Sequence, residues 1–195
     1  MLNIKSINLV AVLLVSLTVT QLQGCAVAVV GAGAAAAKVA NDRRTVGTQL
    51  DDQNAEGAIA YQWSKSEALK KEANLRADVY NGVALITGQV PSQALLNEAI
   101  QGAQRVEHIK KVHNQLRVGE PIGASQQATD IWLASKVKTK LVADERVPAM
   151  QVRVVVQNAE VFLMGRVTNQ EATAAVDIAR HVGGVERVVR AFEII

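Results

Sequence analysis

The chain has 195 residues, a formal net charge of +3 and only 3% aromatic residues. Residues 119 to 195 carry equal numbers of basic and acidic side chains, which weighs against nucleic-acid binding because that function needs a broad basic surface and, for single strands, several aromatic side chains. A single cysteine excludes an internal disulfide.

The first 24 residues have the features of a secretory signal peptide. Lys5 supplies a short positive region, and residues 7 to 19 form an apolar segment of the usual length. A transmembrane helix is the alternative, because residues 9 to 37 contain no charge and are long enough to span a bilayer of about 30 Å. Gln21, Gln23 and Gly24 interrupt the apolar run and favour the signal peptide.

Cys25 is predicted to be lipidated. It ends the sequence Leu-Gln-Gly-Cys, which resembles a lipobox, where the cysteine is diacylated, cut free and acylated again. Ala26 follows instead of an aspartate, so the resemblance implies sorting to the outer membrane, with the body in the periplasm. Several acyl chains on Cys25 would anchor the protein firmly in the membrane, since each buried CH₂ contributes about 0.8 kcal/mol to the free energy of membrane binding. Residues 25 to 46 are predicted to form a flexible tether rich in small residues.

The remainder of the chain contains an internal repeat. Residues 79 to 90 align with residues 156 to 167, and each copy has the pattern of a helix, two strands, a helix and a strand. Asn81 and Gly82 give a strong hairpin signal. Ala159 takes the place of Gly82 in the second copy, where a positive φ would cost about 1 kcal/mol, so a slightly different loop is expected there.

The repeated pattern N-G-x-x-x-L-x-G-x-V, followed by a helix and a closing Val-x-x-(Val/Ile)-x-x-Val, resembles the BON domain family. The resemblance implies an α+β fold with two tandem BON domains. Each would be αββαβ, with a three-stranded sheet covered on one face by two helices. The predicted boundaries are a signal peptide at 1–24, a tether at 25–46, BON domain 1 at 47–118, a linker at 119–124 and BON domain 2 at 125–195.

The two tryptophans lie on the equivalent first helices of the two copies. Trp63 shares one helical stripe with Ala55, Ile59 and Leu69, which predicts a core position. In the second copy the expected buried stripe consists of Ile131, Ala134, Val137, Leu141 and Val142. The neighbouring exposed face is expected to carry Thr129, Trp132, Leu133, Lys136 and Lys140.

An exposed tryptophan and leucine beside lysines favour contact with a membrane surface. An indole sits well at headgroup depth, and lysine attracts anionic lipid. This face is therefore predicted to bind anionic phospholipids such as phosphatidylglycerol or cardiolipin, and the family resemblance also implies phospholipid binding through the second BON domain. The alternative is that Trp132 packs against the other domain or its linker.

The sequence and its family resemblance lead to two functional hypotheses. The first is a lipid-anchored periplasmic protein that supports outer-membrane integrity and acts at the division site, as the resemblance implies. The second is a protein-interaction adaptor for the outer-membrane protein assembly machinery, in which Trp132 meets a protein. No catalytic residue, cofactor or metal site is predicted, because His108, His113 and His181 have no second ligand at metal-binding spacing.

Overall fold

The computed structural model describes residues 42–195, which belong to one compact unit. The predicted signal peptide, the predicted lipidation site Cys25 and most of the predicted tether lie outside the described residues. Within the described part of the chain, no helix combines the length and apolar character needed to cross a bilayer.

Both sequence repeats fold as helix, strand, strand, helix, strand, and the first also contains a short second helix. The elements of the first domain are α1 (Val46–Ser64), α2 (Glu67–Glu72), β1 (Asn74–Tyr80), β2 (Val83–Val90), α3 (Gln93–Gln104) and β3 (Lys111–Val118). Those of the second are α4 (Ala124–Val142), a 3-10 turn (Ala149–Gln151), β4 (Val152–Gln157), β5 (Glu160–Val167), α5 (Asn169–Arg180) and β6 (Arg187–Ile194). The α+β fold class predicted from the sequence is confirmed.

Each domain contains a three-stranded sheet whose central strand pairs antiparallel with the strand before it and parallel with the strand after it. The central strands share a glycine, Gly88 in β2 and Gly165 in β5. A Cβ at Gly88 would lie 1.8 Å from the carbonyl oxygen of Asn74, and one at Gly165 would lie 2.1 Å from that of Gln151. The repeated glycine is therefore required because the chain crosses closely at the start of each hairpin.

Helices α1 and α3 cover one face of the first sheet and enclose the first core. Ala55, Ile59 and Trp63 project into it from α1, as the helical spacing predicted. Trp63 is 7% exposed, and its indole Nε1 donates a hydrogen bond to the carbonyl oxygen of Ala99 on α3 at 2.9 Å. The prediction that Trp63 is a core residue is confirmed.

The two hairpins have the same two-residue turn. Asn81 and Gly82 have φ of 52° and 76°, and Asn158 and Ala159 have φ of 50° and 60°. The prediction of a different loop in the second copy is therefore wrong. A buried carboxylate of α4 stabilises the turn, because Asp130 accepts hydrogen bonds from the backbone amides of Asn158 and Ala159, at 2.7 and 2.9 Å. Two such charge-assisted bonds, at about 1.5 kcal/mol or more each, outweigh the strain at an alanine.

The opposite faces of the two sheets pack against each other and bury a third core, here called the seam. Its buried members are Tyr80, Leu85, Val155, Phe162, Met164 and Ala191. Because each sheet also carries helices on its other face, the described part of the chain has four layers: helices, sheet, sheet, helices. The two pairs of long helices consequently lie on opposite outer sides.

Two buried carboxylates at the edge of the seam are each shared between the domains. Asp78 in β1 is 1% exposed and pairs with Arg76 of its own domain and with Arg153 of the second domain, at 2.7 and 2.8 Å. Glu160 in β5 pairs with Arg187 of its own domain at 2.7 Å and with an arginine at the end of β3. These pairs fix the domains relative to each other, since neither carboxylate keeps all its partners if they separate.

Residues 42 to 44, here called the N-terminal strap, bind both domains. The Arg43 guanidinium donates to both carboxylate oxygens of Glu171 on α5, at 2.8 and 2.9 Å. Arg44 pairs at 2.7 Å with Asp52, the carboxylate of α1 that accepts hydrogen bonds from the first hairpin turn. The sequence assigned these three residues to a flexible tether, but their contacts hold them to the folded domains.

Candidate functional site

The exposed surface of α4 is set by which of its residues are buried. These are Asp130, Leu133, Val137 and Leu141. Leu133 is only 1% exposed, so its predicted place on the lipid-binding face is wrong. The sequence is apolar at four consecutive positions, 131 to 134, and hydrophobicity alone therefore leaves the rotation of the helix open. Asp130 settles the rotation, because its carboxylate must reach the hairpin turn.

The rotation brings two other apolar side chains to the surface. Ile131 is 70% exposed and Val142 is 71% exposed, so their predicted burial is wrong. They project within about 20° of each other around the helix and are about 16 Å apart along it. Trp132 is 58% exposed and lies about 100° around the helix from Ile131. We call this exposed apolar set, Ile131, Trp132 and Val142, the α4 ridge.

The other predicted site residues lie beside the α4 ridge. Thr129 and Lys140 are exposed, as expected, and Lys136 is half-buried. The Thr129 hydroxyl donates within its own helix to the Ser125 carbonyl oxygen at 3.0 Å. A lysine that sequence reasoning omitted, Lys138, is also exposed and lies on the opposite flank of the ridge. It was omitted because it lies beside Ile131, which the sequence pattern predicts to be buried.

The Trp132 indole is packed against a lysine. The Lys136 ammonium lies 4.1 Å from the centroid of the indole ring and donates a hydrogen bond to the carbonyl oxygen of Gly183 at 2.8 Å. Lys138 and Lys140 have no such contacts within residues 42–195 and extend into solvent. Lys136 is therefore held by contacts within the protein, whereas Lys138 and Lys140 are free to interact with a ligand, a distinction that the sequence does not reveal.

The same helical layer contains an open groove of about 590 Å³ beside α5. Arg146, Arg180 and Arg190 line it. Two of these arginines are already paired, Arg146 with Asp144 at 2.7 Å and Arg180 with Asp177 at 2.6 Å. The groove therefore presents less free positive charge than its arginine content suggests, and the unpaired lysines of α4 are the stronger attraction for an anion.

The histidines do not converge on one another. His108 lies in the loop before β3, His113 lies in β3, and His181 follows α5, where its Nδ1 lies 2.7 Å from the carbonyl oxygen of Asp177. Burial, together with the charge of Lys111, lowers the pKa of His113. Across residues 42–195, no group of three or more histidine, cysteine, aspartate or glutamate side chains is arranged to hold a metal ion.

The fold and this surface define a class of protein: a tandem pair of small α+β domains joined through a shared core, with an aromatic and basic helix on the outside. The BON domain family model matches residues 51–120 and 129–195. The chain therefore belongs to the BON domain family.

Three relatives match most of the chain. The outer membrane lipoprotein DolP of Haemophilus influenzae is 44% identical over 172 residues, which cover 88% of this chain and 89% of the relative. A 21 kDa hemolysin of Actinobacillus pleuropneumoniae is 39% identical and covers 76% of this chain and 77% of its own. The osmotically-inducible protein Y of Escherichia coli is 31% identical, with 77% and 76% covered.

Proposed function

We propose that this chain is a lipid-anchored protein of the outer membrane, facing the periplasm, whose second BON domain binds anionic phospholipid through α4. The single observation that carries the lipid-binding proposal is the exposed α4 ridge flanked by unpaired lysines. The lipobox ending at Cys25 supports the anchor. So does the similarity to a relative described as an outer membrane lipoprotein.

The direction of the α4 ridge fits a helix lying flat in the membrane interface. Ile131 and Val142 project on one side of α4 at two separate points along it, so both can enter the bilayer only if the helix axis is parallel to the surface. Trp132 then sits at headgroup depth, where an amphipathic indole is favoured. Lys138 and Lys140 lie on opposite flanks and reach lipid phosphates on both sides.

The expected affinity is modest. Burying a large apolar side chain contributes about 2 kcal/mol, and a lysine close to an anionic surface contributes about 1 kcal/mol. Such a surface would bind weakly as a soluble domain. On a chain already held by acyl chains at Cys25, weak affinity is sufficient, because the anchor creates a high effective concentration at the membrane.

A flotation experiment tests lipid binding directly. The fragment 42–195, which keeps the N-terminal strap, is mixed with vesicles containing phosphatidylglycerol or cardiolipin and with zwitterionic vesicles. Tyr61 supplies a matched control for Trp132, since it is 64% exposed on α1 and carries a lysine 4.6 Å from its ring. Trp132→Ala should reduce flotation with anionic vesicles, whereas Tyr61→Ala should not.

The salt dependence of flotation separates the two contributions. High salt should weaken binding without abolishing it, because screening acts on the lysines and not on the buried indole. Failure of the unmodified fragment to float with anionic vesicles would contradict the proposal. Equal losses in the Trp132→Ala and Tyr61→Ala variants would also contradict it, because the effect would then not belong to α4.

We further propose, from the family resemblance, that lipid binding supports outer-membrane integrity and recruits the protein to the division site. A fluorescent fusion of the full chain with Trp132→Ala should lose enrichment at the septum and leave cells sensitive to large antibiotics. The Tyr61→Ala fusion should behave like the unmodified one. Septal enrichment that persists in Trp132→Ala would separate localisation from lipid binding.

The second candidate function is an adaptor for the outer-membrane protein assembly machinery. It is favoured by α1, which has no lysine or arginine between Val46 and Ser64, exposes Leu50 and Tyr61, and keeps its three carboxylates, Asp51, Asp52 and Glu56, buried or half-buried. A surface with exposed apolar side chains and no basic residue in the helix suits a protein partner better than anionic lipid. Photocrosslinking from position 50, with position 132 for comparison, tests it: crosslinks to assembly subunits from position 50 support an adaptor, and their absence from both positions contradicts it.

A further inference from the structure

The ammonium of Lys136 already has two partners in the folded protein. It donates to the carbonyl oxygen of Gly183, in the loop between α5 and β6, at 2.8 Å. It also lies 4.1 Å from the centroid of the Trp132 ring. Lys136 therefore connects α4 to a neighbouring loop and supports one face of the indole at the same time.

These contacts make Lys136 a poor ligand for a lipid phosphate. One of its three N–H donors is taken by the Gly183 carbonyl oxygen, and moving the ammonium outward to a headgroup would weaken that bond and the ring contact and would turn its half-buried stem into solvent. Lys138 and Lys140 are exposed on the same helix and can meet a phosphate without breaking a hydrogen bond in the described part of the chain.

The contact with Lys136 orders the Trp132 side chain before any lipid arrives. An exposed tryptophan on a helix normally samples several rotamers and loses that freedom when it enters a membrane. A cation held against one face of the ring, and itself fixed by a hydrogen bond, restricts those rotamers. The other face and the edge of the indole remain free, in agreement with its 58% exposure.

We propose that Lys136 is a positioning residue that holds the Trp132 indole in its membrane-facing orientation, while Lys138 and Lys140 supply the attraction to lipid phosphate. This inference deepens the proposed lipid-binding function and, for its effect on membranes, rests on it. Its effect on the indole itself is a property of the protein without anionic lipid.

The first measurement follows the indole alone. The full lipid-anchored chain is placed in zwitterionic nanodiscs, and the fluorescence anisotropy decay of Trp132 is obtained by subtracting the signal of a Trp132→Phe variant, which leaves that of Trp63. Lys136→Met should increase the amplitude of nanosecond indole motion. Lys136→Arg should leave the indole ordered, because a guanidinium can also stack on the ring and donate to the Gly183 carbonyl oxygen. The matched control Lys138→Met removes the same charge and should leave the decay unchanged.

The second measurement follows insertion in anionic bilayers. Brominated phosphatidylglycerol quenches the inserted indole, which gives the ratio of inserted to uninserted Trp132. At high salt, where long-range attraction is screened, Lys136→Met should still lower this ratio about threefold. Lys138→Met should lower the ratio at low salt and match the unmodified chain at high salt.

Two results would overturn the assignment: an unchanged anisotropy decay in Lys136→Met, or quenching in Lys136→Met that follows Lys138→Met at both salt concentrations. Either would make Lys136 one more phosphate-attracting lysine. If the unmodified chain shows no quenching in anionic bilayers, the lipid-binding proposal itself fails. In that case the anisotropy decay alone decides whether Lys136 positions the indole.

Discussion

Arg153 is expected to be the strongest single polar link between the two domains. It reaches from β4 across the seam and contacts Glu56 at 2.9 Å, Asp78 at 2.8 Å and the carbonyl oxygen of Val79 at 3.1 Å. The change Arg153→Met removes all three contacts and keeps much of the aliphatic stem. Arg76→Met is the matched control, because Arg76 pairs with the same Asp78 carboxylate but belongs to the first domain.

The two substitutions should differ in size. Hydrogen bonds to charged groups contribute about 1.5 to 3 kcal/mol each, and the one-third exposure of the Arg153 side chain places its contacts at the low end. Since Asp78 keeps Arg76, we expect Arg153→Met to lower the free energy of unfolding by about 2 to 3 kcal/mol. Arg76 is 58% exposed, and its loss should lower that free energy by less than about 1 kcal/mol.

Urea unfolding of fragment 42–195 measures both values. With Trp132 replaced by Phe in every variant, Trp63 fluorescence reports the first core, and far-UV circular dichroism reports the whole fragment. The two probes should share one transition in the unmodified fragment and separate in Arg153→Met, because the domains are then less coupled. If Arg76→Met destabilises the fragment as much as Arg153→Met, contacts across the seam carry no special weight and the reasoning is refuted.

Four further substitutions test the strap and the turns. The Arg43 guanidinium, together with hydrogen bonds from Thr168, lowers the pKa of Glu171 to about 2 from 4.5, so stability should be complete above about pH 4.5 and fall by about 1 to 2 kcal/mol towards pH 2; Arg43→Ala should reduce this pH dependence in acid titrations followed by circular dichroism, and Thr168 should retain the remainder. Ala159→Gly should raise the urea midpoint by relieving about 1 kcal/mol of strain, whereas Gly82→Ala should lower it, because the new Cβ would lie 2.6 Å from a backbone carbonyl oxygen. Asp130→Ala should cost about 2 to 4 kcal/mol by leaving two turn amides without an acceptor, and a loss below 1 kcal/mol would contradict that role.

The sequence carried the domain architecture because its signals were local and repeated. The hairpin at Asn81 and Gly82, the two central-strand glycines and the helical spacing around Trp63 each identify one element without reference to the other domain. Their recurrence in the second half then places the same fold twice. The sheet topology follows from the short hairpin and the longer strand-helix-strand connection.

The candidate site was harder to predict because a polar side chain sets the rotation of α4. A hydrophobic pattern does not reveal a buried aspartate. It therefore places Ile131 on the buried side of α4 and Leu133 on the exposed side, whereas the structure has the reverse. The repeat contained the missing signal. Asp52 and Asp130 precede their hairpin asparagines by 29 and 28 residues, and a shared polar residue at matching places in two copies indicates a shared contact.

The seam and the N-terminal strap have no comparable signal. Arg43 and Glu171 are 128 residues apart in sequence, and neither residue is unusual in its local segment. Such pairs depend on how two finished sheets meet, which no short pattern records.

Strand β5 has one further consequence for how this protein can be divided. Its successive residues serve different cores, with Val161 and Leu163 packed under the helices of the second domain and Phe162 and Met164 packed in the seam. A second domain expressed alone would therefore expose the side chains of Phe162 and Met164 to water on the uncovered face of its sheet. The two halves repeat one another in sequence, yet each covers an apolar sheet face that the other would expose to water if it stood alone.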